Sequence, residues 1–193
     1  MDMSDIYLYS VAIYLPEPEM SVVSGMKDQL AFKGGKYGSR NSKAHITICE
    51  LNIDTEQKLQ LIKGQLSRIC AGLSPLNLIF DHFGAYDNGV MCILPDKESD
   101  VLLKELMKNI RDAIKVKLLY KSYNPHVTIG RKLNREQLSI ARDLFIDTKV
   151  NLNFICDRIV LRVREGETQF IVIEEFTFQS KTQSGVGQLP MFN

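Results

Sequence analysis

The sequence predicts an α+β fold, duplicated and two-lobed, in which two mainly antiparallel sheets flank a central cleft and helices lie on the outside. Three observations predict it. Segments of β-branched and aromatic residues bounded by turn formers interleave with segments of 3.6-residue apolar spacing through most of the 193 residues. The order of those segments repeats once. Two of the three histidines stand in the same frame, His45-Ile46-Thr47-Ile48 and His126-Val127-Thr128-Ile129, one in each half.

Taken in order, Ile6–Leu15 reads as a strand that closes at Pro16, and Pro18–Phe32 follows as a weaker helical pattern. The run Gly34-Gly35-Lys36-Tyr37-Gly38-Ser39-Arg40 is expected to be a flexible loop, either a lid or a long connection; its glycine spacing does not follow a strand, so it is not a dinucleotide or nucleotide-triphosphate loop. Ala44–Leu51 is a strand. Thr55–Ala71 is a helix with Leu59, Ile62, Leu66 and Ile69 on one face. Leu76–Tyr86 and Val90–Leu94 are strands, and Ser99–Val116 is a helix carrying Leu102, Leu103, Leu106, Ile110 and Ile114. His126–Gly130 is a strand, Arg135–Phe145 a helix, and Asn153–Arg164 and Gln169–Phe178 are strands. Residues 180–193, rich in Gly, Ser and Gln, lack periodicity and are expected to be a flexible tail after one bilobal domain over 1–179.

The repeat is legible residue by residue. Tyr14-Leu15-Pro16 closes a strand that leads through a helix to His45; Ile93-Leu94-Pro95 closes one that leads through a helix to His126. Beyond each histidine strand come a helix and a matching strand, Leu76-Asn77-Leu78-Ile79-Phe80-Asp81 and Leu152-Asn153-Phe154-Ile155-Cys156-Asp157. Each repeat therefore contributes one His-x-Thr strand.

Composition removes several classes. A hydrophobic share of 45% excludes a disordered chain, and no run approaches the ~18 apolar residues of a spanning helix. No membrane partner is expected. The N-terminus Met1-Asp2-Met3-Ser4-Asp5 is acidic, unlike a secretory signal. Cys49, Cys70, Cys92 and Cys156 are scattered without a CxxC pair, which fits free core thiols in a reducing cytoplasm. The formal charge of +1 excludes a uniformly basic coat protein. Resolved along the chain, however, ten of the 24 cations lie in two acid-free stretches, Lys33–Ile48 and Lys115–Arg135, each running into a histidine motif. That pattern predicts a local site for a phosphodiester rather than a broad binding face.

In a strand the side chains alternate, so His45 and Thr47 project together while Ile46 and Ile48 face a core; His126 and Thr128 do the same against Val127 and Ile129. Two lobes related by an approximate twofold would bring both pairs into one cleft. Two imidazoles titrating near neutrality then serve as base and acid for in-line displacement at phosphorus, and two hydroxyls donate to the non-bridging oxygens. Such chemistry needs no metal, and apart from Glu50 neither motif has a carboxylate at ligand spacing; no metal and no cofactor are expected.

On these two motifs, their separation and the two-lobed order around them, the sequence resembles the two-histidine (2H) phosphoesterase superfamily, including the LigT-like 2′-5′ RNA ligase/2′,3′-cyclic phosphodiesterase proteins, over about Ile6 to Phe178. The resemblance implies the bilobal 2H fold, His45 and His126 as the catalytic pair, and Thr47 and Thr128 as phosphate binders. It implies as substrates RNA ends or nucleotides with a 2′,3′-cyclic phosphate or a 2′-5′ linkage, hydrolysed or reversibly ligated. LigT-like members often carry an arginine five residues after the second histidine, here Arg131, although strand parity points it away unless the strand ends near Gly130. Arg131, Lys43 and Tyr123 are the candidate further substrate contacts, the tyrosine by stacking on a base together with Tyr120. In hydrolysis His126 is expected to activate water and His45 to protonate the leaving oxygen, roles that pseudo-symmetry makes nearly interchangeable. The protein is expected to be a monomer. The alternative is a catalytically slow RNA- or nucleotide-binding module using the same cleft; a third reading is a related enzyme acting on a non-RNA cyclic phosphate.

Overall fold

A computed structural model describes residues 7–180. Nine strands and four helices follow one another within it: β1 Tyr7–Tyr14, α1 Glu17–Gly34, β2 His45–Leu51, α2 Glu56–Gly72, β3 Leu76–Tyr86, β4 Val90–Pro95, α3 Lys97–Ala113, β5 Leu118–Lys121, β6 Val127–Gly130, α4 Arg135–Phe145, β7 Leu152–Cys156, β8 Arg158–Glu165 and β9 Ile171–Thr177. The tail expected over 180–193 lies, apart from Ser180, outside the described residues.

The helices start where side chains can satisfy the free N–H groups of a first turn. Thr55 accepts from Lys58 N to open α2, Asp96 accepts from Ser99 N to open α3, and Asn134 forms a reciprocal capping box with Gln137 at α4. Each helix then buries one stripe: Ile62, Leu66 and Cys70 on α2; Leu103, Leu106, Met107 and Ile110 on α3; Leu138, Ala141 and Phe145 on α4. On α1 the stripe is Val23, Lys27 and Leu30, so a lysine occupies a core position.

The strands form two antiparallel sheets. The first has the order β5-β2-β1-β8-β9 and the second β6-β4-β3-β7. The matching segments 76–80 and 152–156 pair with each other, Leu78 lying opposite Phe154, so equivalent residues of the two repeats meet in the second sheet. Neither sheet is built from one half of the sequence. The segment expected as a single strand over Asn153–Arg164 breaks at Asp157, β7 joining the second sheet and β8 crossing to the first. Asp157 marks the crossing: its carboxylate pairs with Arg158 at 2.8 Å and its carbonyl accepts from Phe178 N at 2.8 Å. The equivalent Asp81 lies at a register shift in β3 rather than at a break. The helices exchange too, α1 packing on α4, β6 and β7 of the second sheet, and α2 on α3 and β9.

Strand β5 has no counterpart among the sequence expectations. Its residues Leu118-Leu119-Tyr120-Lys121 are mostly exposed, and it forms because β2 offers a free edge: Cys49 lies opposite Lys121 and Glu50 opposite Tyr120. The helix expected to run to Val116 ends at Ala113. The four cysteines are free and buried. No helix of the described residues is long and apolar enough to cross a membrane.

Candidate active site

Along β2 the alternation works as strand geometry requires: Ile46 and Ile48 are fully buried, while His45 and Thr47 are half-buried on the opposite face. His126 directly precedes β6, where Val127 and Ile129 are fully buried and Thr128 is half-buried. Both His/Thr pairs line one cleft of about 440 Å³ between the sheets. A shared detail sets the imidazoles. The Nδ1 of His45 lies 2.6 Å from the carbonyl of Lys43, and that of His126 lies 2.8 Å from the carbonyl of Asn124, in each case two residues back. A carbonyl can only accept, so Nδ1 carries the proton and Nε2 is left for proton transfer.

Arg131 also lines the cleft. Strand β6 ends at Gly130, the chain turns through Lys132 with φ 54°, and Arg131 N donates to Ser39 Oγ at 3.0 Å. The parity that would have aimed Arg131 away therefore ends one residue before it. Lys43 lines the cleft from the approach to β2. Tyr123 does not: it is 61% exposed, with the Arg111 guanidinium 4.9 Å from its ring centroid, and it lines a neighbouring groove with Lys104, Lys108 and Lys121. The alternation that turns Tyr120 and Ser122 into the cleft turns Lys121 and Tyr123 out of it. Of the cations in the two acid-free stretches, Lys43 and Arg131 reach the cleft.

Two further cations were not among the sequence expectations. Lys27, on the buried stripe of α1, is 3% exposed and donates from Nζ to the carbonyl of Ser42 at 2.5 Å. Arg162, on β8, is also 3% exposed and lines the cleft beside Tyr14. Their signal in the sequence was a lone cation within an apolar stripe, Val23-Lys27-Leu30 in one case and Val160-Leu161-Arg162-Val163 in the other.

The charges converge on His45. Burial lowers its pKa to about 3, and the positive charges of Arg162, Lys27 and Arg131 act in the same direction, against the bond to the Lys43 carbonyl. The surroundings of His45 therefore favour its neutral form. Lys27 is lowered to about 8 by burial and by the charge of Arg131.

The glycine-rich loop is held rather than free. The Tyr37 hydroxyl sits between the carbonyls of Lys27 and Ile129, at 3.1 and 3.3 Å. Ser39 meets Arg131 N, Gln137 Nε2 donates to the carbonyls of Gly34 and Lys36, and Arg40 pairs with Asp28 at 2.7 Å. These bonds tie the loop to α1, β6 and α4, so it forms a fixed wall of the cleft through Ser39, Asn41 and Ser42. Among the described residues no group of three His, Cys, Asp or Glu side chains stands close enough to hold a metal ion.

A family model described as the 2′-5′ RNA ligase superfamily matches residues 21–168. Solved structures with the same fold include TT0787 of Thermus thermophilus, with a TM-score of 0.64 and 15% identity over 91% of this chain and all of that one. E. coli LigT complexed with 3′-AMP gives 0.61 and 15%, over 91% and 99% of the two chains. Kluyveromyces marxianus Usb1 gives 0.53 and 14%, over 88% and 97%. A comparison with curated proteins finds no match.

Proposed function

The chain belongs to the 2′-5′ RNA ligase superfamily of two-histidine phosphoesterases, and from that premise we propose that it opens 2′,3′-cyclic phosphates, or makes and breaks 2′-5′ phosphodiesters, of RNA ends or nucleotides without a metal ion. The observation that carries the reading is the pairing in one cleft of His45 with Thr47 and His126 with Thr128, both rings held through Nδ1 so that both Nε2 atoms are available. A phosphate between the strands would receive the two threonine hydroxyls and the guanidinium of Arg131, which stabilise the charge that builds on its oxygens. One neutral Nε2 takes the proton of the attacking water or hydroxyl, and the opposite, protonated Nε2 returns one to the departing oxygen.

The surroundings of His45 favour the reverse of the division expected from sequence. Arg162, Lys27 and Arg131 facing His45 disfavour its imidazolium, and its Nδ1 is bonded to the Lys43 carbonyl, so in hydrolysis we assign water activation to His45 and leaving-group protonation to His126. The negative phosphate offsets the cations around His45 as the imidazolium forms. The roles exchange in the ligation direction.

The test is a panel of 2′,3′-cyclic mononucleotides, 2′-5′ dinucleotides and cyclic-ended RNA, read for rate and product regiochemistry. His45→Ala and His126→Ala are each expected to lower turnover by about 10²- to 10⁴-fold while EDTA leaves it unchanged. Full activity in either variant would sink the reading. Tight binding of a 2′-phosphorylated nucleotide without turnover would instead support the binding module.

A further inference from the structure

The cleft contains a buried cation whose hydrogen-bond donors the two-histidine chemistry leaves largely free. Arg162 sits on β8, two strands away from β2, with β1 between them; at the backbone that is on the order of 10 Å from the His45/Thr47 strand. Its Nε and Nη2 donate to Ser10 Oγ, each at 3.3 Å, and the Tyr14 hydroxyl also accepts from it. The guanidinium lies 4.4 Å from the centroid of Phe170 and 5.6 Å from that of Tyr14, both of which line the cleft. Among the described residues no carboxylate stands within ion-pair distance of it. A guanidinium has five N–H donors and a full charge, so a serine and a tyrosine hydroxyl leave donors unused, and the cleft carboxylate of Glu50 acts on the charge only from beyond ion-pair distance.

A second under-satisfied cation follows on β8, against the other wall residue Phe170. Arg164 packs against Phe170 at 5.2 Å, its Nε is buried without a partner, and its one ion pair is a 3.9 Å contact to the fully exposed Glu167. The second sheet offers nothing comparable. The position equivalent to Arg162 in the other repeat is Tyr86, and the residue lining the cleft from β4 is Val90. Arg162 thus adds a buried charge at the β8 end of a cleft that Lys27, Lys43 and Arg131 also line.

We propose that Arg162, backed by Ser10 and walled by Tyr14 and Phe170, forms a second anion subsite that takes a further phosphate of the substrate, distinct from the one held between His45 and His126. This rests on the function proposed above and narrows its substrate class to nucleotides carrying a phosphate at each end, such as a 5′-phosphorylated nucleotide with a 2′,3′-cyclic phosphate. The Tyr14 ring stands beside both groups, its centroid 6.1 Å from that of the His45 ring and 5.6 Å from the Arg162 guanidinium, a spacing that suits phosphates at the two ends of one nucleotide. An arginine fork meets such a group with two hydrogen bonds, and the aromatic walls hold its plane.

The experiment compares the affinities of adenosine 2′-monophosphate and adenosine 2′,5′-bisphosphate by calorimetry in wild type, Arg162→Met and Arg162→Lys. Wild type is expected to bind the bisphosphate roughly 10- to 100-fold tighter, the yield of hydrogen bonds to a charged group. In R162M the two affinities become equal, and in R162K the preference falls but part remains, because the charge is kept and the fork is lost. Should R162M not fold, R162K decides. A wild-type ratio near one, or a ratio unchanged in R162K, overturns the subsite while leaving the two-histidine function standing. A wild type that binds neither nucleotide overturns both.

Discussion

Replacing Lys27 with methionine should make the protein more stable and less active. Lys27 is a core residue of α1 that carries a charge, and its pKa of about 8 against the ordinary 10.5 measures what burial and the nearby charge of Arg131 cost the charged form: about 3 kcal/mol. Below pH 8 the lysine is protonated in both folded and unfolded chains, so the folded state bears the whole cost. Between pH 8 and 10.5 the unfolded chain holds more protons, and stability rises with pH. Above 10.5 both states are neutral and the cost is gone. Lys27→Met removes that cost but strands the carbonyl of Ser42, worth about 1–2 kcal/mol. The variant is therefore expected to gain roughly 1–2 kcal/mol at pH 7, a few degrees in Tm, and to lose about as much as the hydrogen bond is worth at pH 10.5. Urea unfolding of both proteins at the two pH values measures the difference, which should be about 3 kcal/mol. The same variant should lose roughly 10- to 100-fold in kcat/KM on a cyclic nucleotide, since a cation facing the phosphate is gone. An equal stability change at both pH values, or unimpaired turnover, would refute the argument that a functional charge is buried here at the expense of the fold.

Three further outcomes follow from local geometry and burial. Gly89 has φ 83°, and a Cβ there would lie 2.5 Å from the carbonyl oxygen of Leu133, so Gly89→Ala should cost at least about 2 kcal/mol in denaturant unfolding; Gly25→Ala, on α1 with nothing within 4 Å, should gain about 0.5–1 kcal/mol. Burial raises all four thiols to about 12, so at pH 8 the native protein should show no reaction with a chromogenic disulfide reagent, and all four should react once it is unfolded.

Much of the candidate site was legible because its signals are local. His45 and Thr47 share a face by the two-residue period of a strand, and neighbours such as Ile46 and Ile48 declare which face is core. Arg131 was harder, since its direction depends on where β6 stops, and that is decided by the close approach of Leu133 to Gly130, where a Cβ would meet Leu133 Cδ1 at 2.8 Å. Tyr123 lies outside the cleft for a related reason: nearness in sequence to His126 does not fix the face on which a side chain leaves the chain. The glycine-rich loop looked mobile by composition, yet its bonds run to Ile129, Arg131 and Gln137, about a hundred residues away.

Periodicity, caps and a repeated four-residue frame were enough to set the element order, the two His-x-Thr strands and the faces they present, because each depends on residues a turn or a pleat apart. The tertiary structure decided which strand pairs with which. The apolar parity shifts at Asp157-Arg158, from Leu152, Phe154 and Cys156 to Ile159, Leu161 and Val163, but a bulge within one strand leaves the same mark, so the pattern does not say that β8 passes into the first sheet, and β5 exists only because β2 had an open edge. That crossing places Arg162 in the cleft, and the packing of α1 on the opposite sheet brings Lys27 there. Long-range partners settle the charge and shape of the cleft, and a one-dimensional pattern carries no record of them.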